Sequence, residues 1–317
     1  MTSESPAADQ GAAHHGAADH GAADHGPADH GPADHAAVDH GLFGPGSVTW
    51  RIMDDPVLLI AGMRALYLQA LHPDVMLGTW QNTALADRGQ AWGRFARTTE
   101  FVRVRTFGTM AEVERAARRI RKVHSALTGV AEDGRVFRLD EPDLLLWVHC
   151  GEIASYADVA RRCGMPVTAA DLDAFVAEQV RSAEIIGLDP AIVPASMAEL
   201  DAYYERARPR LHATPQARQA LRRSFTPALP LEVAALYLAL PSVNTLALAS
   251  LPRWARRLYG APASPVTDLA ATVALRAAWE STSRIPRQVL YLPLSLPAAV
   301  AARGRRLGLP RPDRPAA

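Results

Sequence analysis

The chain has 317 residues, enough for one large domain or two ordinary ones, and its 34 basic against 33 acidic side chains leave a formal net charge of +1. A nucleic-acid binder normally carries a clear basic excess, so that class is set aside. Hydrophobic residues make up 49% and aromatic residues only 6%, so the core must be built from Leu, Ala, Val and Ile, and the long Ala- and Leu-rich stretches point to an all-α protein.

The first ten residues show no basic stretch followed by an apolar run, so no secretory signal is expected and the expected location is cytoplasmic. From Gly16 to His40 a five-residue unit repeats as GAADH, GAADH, GPADH, GPADH and AAVDH. Such a segment lacks the large apolar residues that offset backbone ordering, and a period of five fits neither a helix face nor a strand face. Residues 1–41 are therefore read as a disordered His/Asp-rich tail. Imidazole beside carboxylate suits weak binding of divalent metals. A solvated spacer is the simpler reading, and catalysis is not expected there.

The pattern changes after Leu42. Asp55-Pro56 starts a helix that runs through VLLIAGMRALYLQAL and stops at His72-Pro73. The stretch Trp80 to Thr109 is more polar and rich in arginine. Thr109 and Glu112 form a capping box for a helix from Met110 to Thr128, with Gly129 as its C′ residue. Gly134 to Leu139 reads as a short hairpin arm. Asp140 with Pro142 opens a long helix ending near Gly164. Further helices are expected at Ala169–Ile186, Met197–Arg208 (Ser196 and Glu199 making a second capping box), Pro215–Phe225 and Val266–Ser283. Leu231 to Leu251 is nearly uncharged and about as long as a bilayer span. Its Pro241, Ser242, Asn244 and Thr245, with Pro230 ahead of it, suit two shorter core helices better. The whole reads as a single irregular helical domain over residues 42–308, with residues 309–317 disordered.

Two cysteines, Cys150 and Cys163, imply neither a disulfide framework nor a thiolate zinc site. Outside the tail the histidines are His72, His124, His149 and His212. Helical spacing puts Val113, Ala116, Ala117, Ile120 and Leu127 on the face of His124, while Glu114, Arg118, Arg121 and Lys122 lie on the other side. His149 falls among Leu145, Leu146, Ile153 and Tyr156, with Glu152 at i+3. Each is open to two readings, a buried histidine satisfied by a hydrogen bond or a functional imidazole. A lone apolar-face histidine in a helical protein is also the least that a haem requires, since the iron takes one axial imidazole and keeps its far side for O₂.

Four blocks in order, LHPDVMLGTW (71–80), GRFARTTEFVRVRTFGT (93–109), RRIRKVHSALTG (118–129) and DEPDLLLWVHCGEIASY (140–156), resemble a bacterial and fungal oxygenase family. It includes the latex clearing proteins (rubber oxygenases) and the fungal ER-bound oxygenase of the mycophenolic acid pathway. The resemblance implies a globin-like helical core and one haem b. By motif, His124 matches the proximal axial histidine. Arg94, Arg97 and Thr98, spaced R-x-x-R-T, resemble a distal R-x-x-K-T segment, with Arg97 where the rubber enzymes carry a lysine. Two further departures stand out. No glutamate lies between His72 and Arg94, where those enzymes hold a catalytic one, and Thr128 stands where they have an arginine four residues past the axial histidine. These departures weigh against polyisoprene cleavage.

The resulting expectation is a haem b oxygenase acting on a small apolar substrate with O₂. Arg94, Arg97 and Thr98 are its catalytic candidates, His124 and His149 its cofactor-binding candidates, and His124 its iron ligand. A haem carrier or sensor without turnover, and a non-haem protein handling metal through its tail, are the rival readings. Neither nucleic acid nor a membrane span is expected among its partners.

Overall fold

The computed structural model describes residues 39–82, 88–227 and 236–284, with the side chains of 88–92 and 236–238 left aside. Residues 1–38, which hold most of the repeat, and 285–317, which hold the expected C-terminal tail, lie outside the described residues.

Helix α1 (Val48–Met53) starts at Ser47, whose hydroxyl accepts from the Trp50 N–H. Helix α2 (Leu58–Gln69) is apolar almost all round and buries Leu58, Ile60, Ala61, Met63, Arg64, Ala65, Tyr67 and Leu68. A helix of that kind belongs at the centre of a core, and of its residues only Leu66 is exposed. Helix α3 spans Pro73–Asn82, α4 Arg88–Phe107 and α5 Met110–Ser125. The Thr109–Glu112 capping box forms as the spacing predicts. Asp39 accepts from the Met110 N–H at 2.9 Å and His40 meets the Trp50 ring edge-on at 5.9 Å, so the last Asp-His pair of the repeat belongs to the helical body rather than to the tail.

Helix α5 ends at Ser125, earlier than expected, and Gly129 is not its cap. Instead Thr128–Val130 (β1) pairs antiparallel with Val136–Arg138 (β2), with Gly129 opposite Phe137. A Cβ on Gly129 would lie 2.4 Å from the Phe137 ring, so this glycine is required by close approach across the strands. Gln81 and Asn82 at the end of α3 fix the free edge of β1, exchanging hydrogen bonds with Val130 and donating to the Thr128 carbonyl.

Helix α6 (Pro142–Cys163) is the second central element and closes on Gly164 in the left-handed region, as read from the sequence. It packs along α2 more extensively than any other pair of elements meets. Gly62, Ala61, Gly151 and Ala157 keep that seam tight, since a Cβ on Gly151 would already press to 3.0 Å from the Gln69 side chain. Trp147 donates to the Gln69 carbonyl at 3.0 Å and Gln69 returns a bond to the Val148 carbonyl at 2.9 Å. Both cysteines, Cys150 and Cys163, are buried on this helix with free thiols.

The remaining helices wrap this pair: α7 (Ala169–Glu184), α8 (Met197–Ala207), α9 (Pro215–Ser224), α10 (Leu236–Ser250), α11 (Arg253–Tyr259) and α12 (Pro265–Ser283). At α8 the Ser196 half of the box forms, but the Glu199 carboxylate turns back to the Ala195 N–H instead. The expected pair of short helices at 231–251 is, over its described part, one helix that continues through Pro241. Among the described residues, no helix is long and apolar enough to cross a membrane. The architecture is all-α apart from the β1–β2 hairpin.

Replacing Gly129 by Ala should destabilise the chain by about 1–3 kcal/mol, because the new methyl group must displace the Phe137 ring. The midpoint of urea unfolding checks this, and an unchanged midpoint would show that the two strands do not approach so closely.

Candidate functional site

Helices α4 and α5 form an antiparallel hairpin joined at Gly108–Thr109. Gly108 makes the turn tight, since a Cβ there would lie 2.4 Å from the Val104 carbonyl. In such a hairpin, residues nearly equidistant from the turn face one another, so Arg94 comes opposite His124. The Arg94 charge acts electrostatically on the His124 imidazole, as that register requires. The hairpin β1–β2 adds a third group. Its register sets Thr128 against Arg138, so Asp140, just beyond, returns to the end of α5 and its carboxylate also acts on His124.

The apolar face of α5 opens along its length. Val113 and Ala117 are buried, Ile120 and His124 are half-buried, and Val123 beside them is 46% exposed. The Nδ1 atom of His124 is nevertheless buried and has no hydrogen-bond partner among the described residues. Burial pushes the His124 imidazole below its ordinary pKa, with Asp140 opposing and Arg94 adding to the shift. The imidazole is thus neutral at neutral pH, with an unsatisfied ring nitrogen, an arrangement that normally implies a partner.

Arg94 is half-buried, and burial with the nearby Arg97 brings its pKa down to about 10. It keeps its charge at neutral pH. Arg97 and Thr98 are exposed on the next turn, and the Thr98 hydroxyl donates to the Arg94 carbonyl at 3.2 Å. The spacing therefore brings Arg94 to His124, while Arg97 and Thr98 lie toward solvent.

His149 is elsewhere. It is buried in α6 beside Arg105, which lies eleven residues beyond Arg94 and so about 16 Å further along α4. Arg105 pairs with Glu152 through two bonds of 2.6 and 3.2 Å, both side chains being buried or nearly so. Tyr156 completes the cluster within the field of this pair. Sequence reasoning marked His149 and noted Glu152 at i+3, but missed the pairing. The available signal was a carboxylate on the apolar face of a helix, which must find a cation when buried. His72 is also buried, against Trp147 at 6.1 Å between ring centres, with neither ring nitrogen hydrogen-bonded among the described residues and Asp143 at 3.8 Å. His212 is exposed and meets Glu132 at 2.9 Å. A cleft at the far end of α6 includes none of the residues of either cluster.

Comparison with known families decides what kind of catalyst this is. The family model described as ER-bound oxygenase mpaB/B′/rubber oxygenase, catalytic domain, matches residues 50–281. The chain belongs to this family. As a member of the mpaB and rubber oxygenase family it is an oxygenase, and hence an oxidoreductase. The match begins within α1 and ends within α12, so it spans both the His124 cluster and the His149 cluster. No curated protein and no solved structure matches the chain.

His149 gives a pH dependence with a definite sign. Burial, with Arg105 adding, pushes its pKa down from 6.5 to about 3. The unfolded chain takes up this proton from pH 6.5 downward while the folded chain does not, so stability present above pH 6.5 is lost on acidification, at up to about 1.4 kcal/mol per pH unit. Urea midpoints should be lower at pH 5 than at pH 7.5, and His149→Gln should show the smaller difference. An unchanged midpoint in the parent across that range would mean that water reaches the imidazole.

Proposed function

We propose that this oxygenase depends on haem b, with His124 as the axial ligand of the iron, and that it oxidises a small apolar organic substrate with O₂. The observation that carries the reading is the condition of His124. It is a neutral imidazole with a buried nitrogen that has no hydrogen-bond partner among the described residues, at the open end of the apolar face of α5, opposite a cationic side chain. Among the described residues, no three His, Cys, Asp or Glu side chains converge to hold a metal. A single imidazole is what this seam offers, and a metal that brings its own equatorial ligands needs no more than that. The residues present therefore fit the group.

When bound, the haem supplies the one-electron chemistry through which O₂ reacts with a closed-shell organic molecule. The chain's own residues set the conditions for it. Burial keeps His124 deprotonated, so a lone pair is available to a metal. Asp140 provides a nearby negative charge that makes the imidazole a better donor, in the manner of carboxylates behind metal-bound histidines. The half-buried Arg94 brings positive charge to the same end of the hairpin, with the exposed Arg97 beside it on the solvent side. Partly withdrawn from solvent, the Arg94 charge stabilises a carboxylate or negative charge developing on oxygen more than it would in bulk water. The Arg97 guanidinium carries donors and no acceptor, and so offers no second ligand. Ile120 and Leu127 on the His124 face give the seam an apolar wall, which favours an apolar substrate. His149 enters this scheme only as a buried core group near the Arg105–Glu152 pair.

The full-length chain reconstituted with haemin should show a Soret band that is lost or strongly shifted in His124→Ala and kept in His149→Gln. Because the repeat histidines are common to all three proteins, any haem held there cancels in the comparison. A Soret band of the same position and strength in His124→Ala would sink the assignment.

A further inference from the structure

Away from the His124 seam, a cleft of about 410 Å³ opens where the C-terminal end of α6 meets the α10–α11 joint and α12. Its walls carry five arginines, Arg64, Arg161, Arg162, Arg253 and Arg276, against two carboxylates, Asp158 and Asp268. That excess of three positive charges sits in a chain whose formal net charge is only +1.

The arginines divide into two sets. Arg64 spends its donors on Ser155, Asp158 and the Ser250 carbonyl. Arg162 spends its own on Thr272 and the Ser250 and Asp268 carbonyls. These two are structural, and they tie α2, α6, α10 and α12 together. The other three are not used up. Arg161 donates one bond, to Asp158, and Arg253 one, to Asp268. Arg276 is exposed and has no hydrogen bond or ion pair among the described residues. Both carboxylates are already engaged, Asp158 by Arg64, Arg161 and Arg162, and Asp268 by Arg253 and the buried Arg256. What the cleft presents to a ligand is a set of spare guanidinium donors from three separate elements.

We infer that this cleft is a phosphate-binding site, formed by Arg161, Arg253 and Arg276 and taking the phosphate group of a ligand. A phosphate accepts hydrogen bonds from several directions and carries close to two negative charges, which answers donors converging from three elements better than a planar monocarboxylate does. The group has two possible sources, a dissolved phosphorylated molecule or a phospholipid headgroup. The outer face of α12, beside its cleft-facing residues Asp268, Thr272 and Arg276, leaves Val266, Leu269 and Val273 exposed, so a headgroup would find apolar side chains next to it. The inference is independent of the haem assignment and concerns residues outside that seam.

The test titrates the full-length chain with pyrophosphate in a calorimeter. In parallel it co-sediments the chain with phosphatidylcholine vesicles, with and without phosphatidic acid. Arg161→Ser, Arg276→Ser and the double variant are compared with Arg206→Ser, a charge-matched change on the exposed face of α8. All three side chains are exposed, so far-UV circular dichroism should be unaltered. Losing an arginine that bonds phosphate should weaken binding about tenfold or more, the double variant most, while Arg206→Ser matches the parent. Binding of pyrophosphate with that pattern supports the site with a dissolved ligand as the source. The same pattern on phosphatidic acid vesicles alone supports it with a headgroup as the source. No binding in either arm, or binding that Arg206→Ser weakens as much as Arg276→Ser, overturns it.

Discussion

The structure depends on α6 being buried over most of its circumference. A helix so enclosed can carry polar side chains only where a partner waits inside, because an unpaired buried polar group costs more than a made hydrogen bond returns. The partners come from every surrounding layer. Arg64 of α2 meets Ser155 and Asp158, Arg105 of α4 meets Glu152, and Tyr204 of α8 donates to the Cys150 carbonyl at 2.9 Å. Each of these fixes one neighbouring element in rotation and in register, so α6 acts as the reference axis of the molecule. The tight α2–α6 seam follows from small residues on both sides, and it brings the two helices close enough for the reciprocal bonds between Gln69 and the Trp147–Val148 stretch.

The candidate catalytic seam stands at the edge of this arrangement. The α4–α5 hairpin is anchored at its turn end by the capping box, by Asp39 and by the Arg105–Glu152 pair. Its open end, where Arg94 faces His124, is held from one side by the β1–β2 hairpin. Rigidity at one end and openness at the other suit the proposed uptake of haem and then of a substrate, since the ligands stay positioned while the walls can adjust.

Much of this was legible in the sequence, and the places where it was not share a cause. Caps and breakers act locally, so the Thr109–Glu112 box, the start of α6 at Pro142 and its end at Gly164 were read correctly from spacing. The face of His124 was legible for the same reason, since a helical period needs no knowledge of the rest of the chain. Gly129 misled, because its role as a partner to Phe137 is set by a strand seven or eight residues away, whereas a glycine after a helix has a ready local explanation. Pro241 misled in the same way, the surrounding core keeping one helix continuous where composition suggested two. The Arg105–Glu152 pair and the arginine cleft were invisible because they join residues far apart in sequence. In the repeat, Asp39 looks like every other aspartate of its kind, and only the neighbouring helix end distinguishes it.

The two cysteines bear on how such a catalyst survives its own chemistry. Both thiols are buried and free, and burial raises the pKa of each, that of Cys163 to about 11 and that of Cys150 further. Oxidation by peroxide proceeds through the thiolate and requires access to it. A protein that handles O₂ will at times release partly reduced oxygen, and here neither sulfur offers the anion or the exposure on which that damage depends. Burial thus withholds both sulfurs of α6 from the thiolate chemistry that leads to sulfenic acid and to stray disulfides.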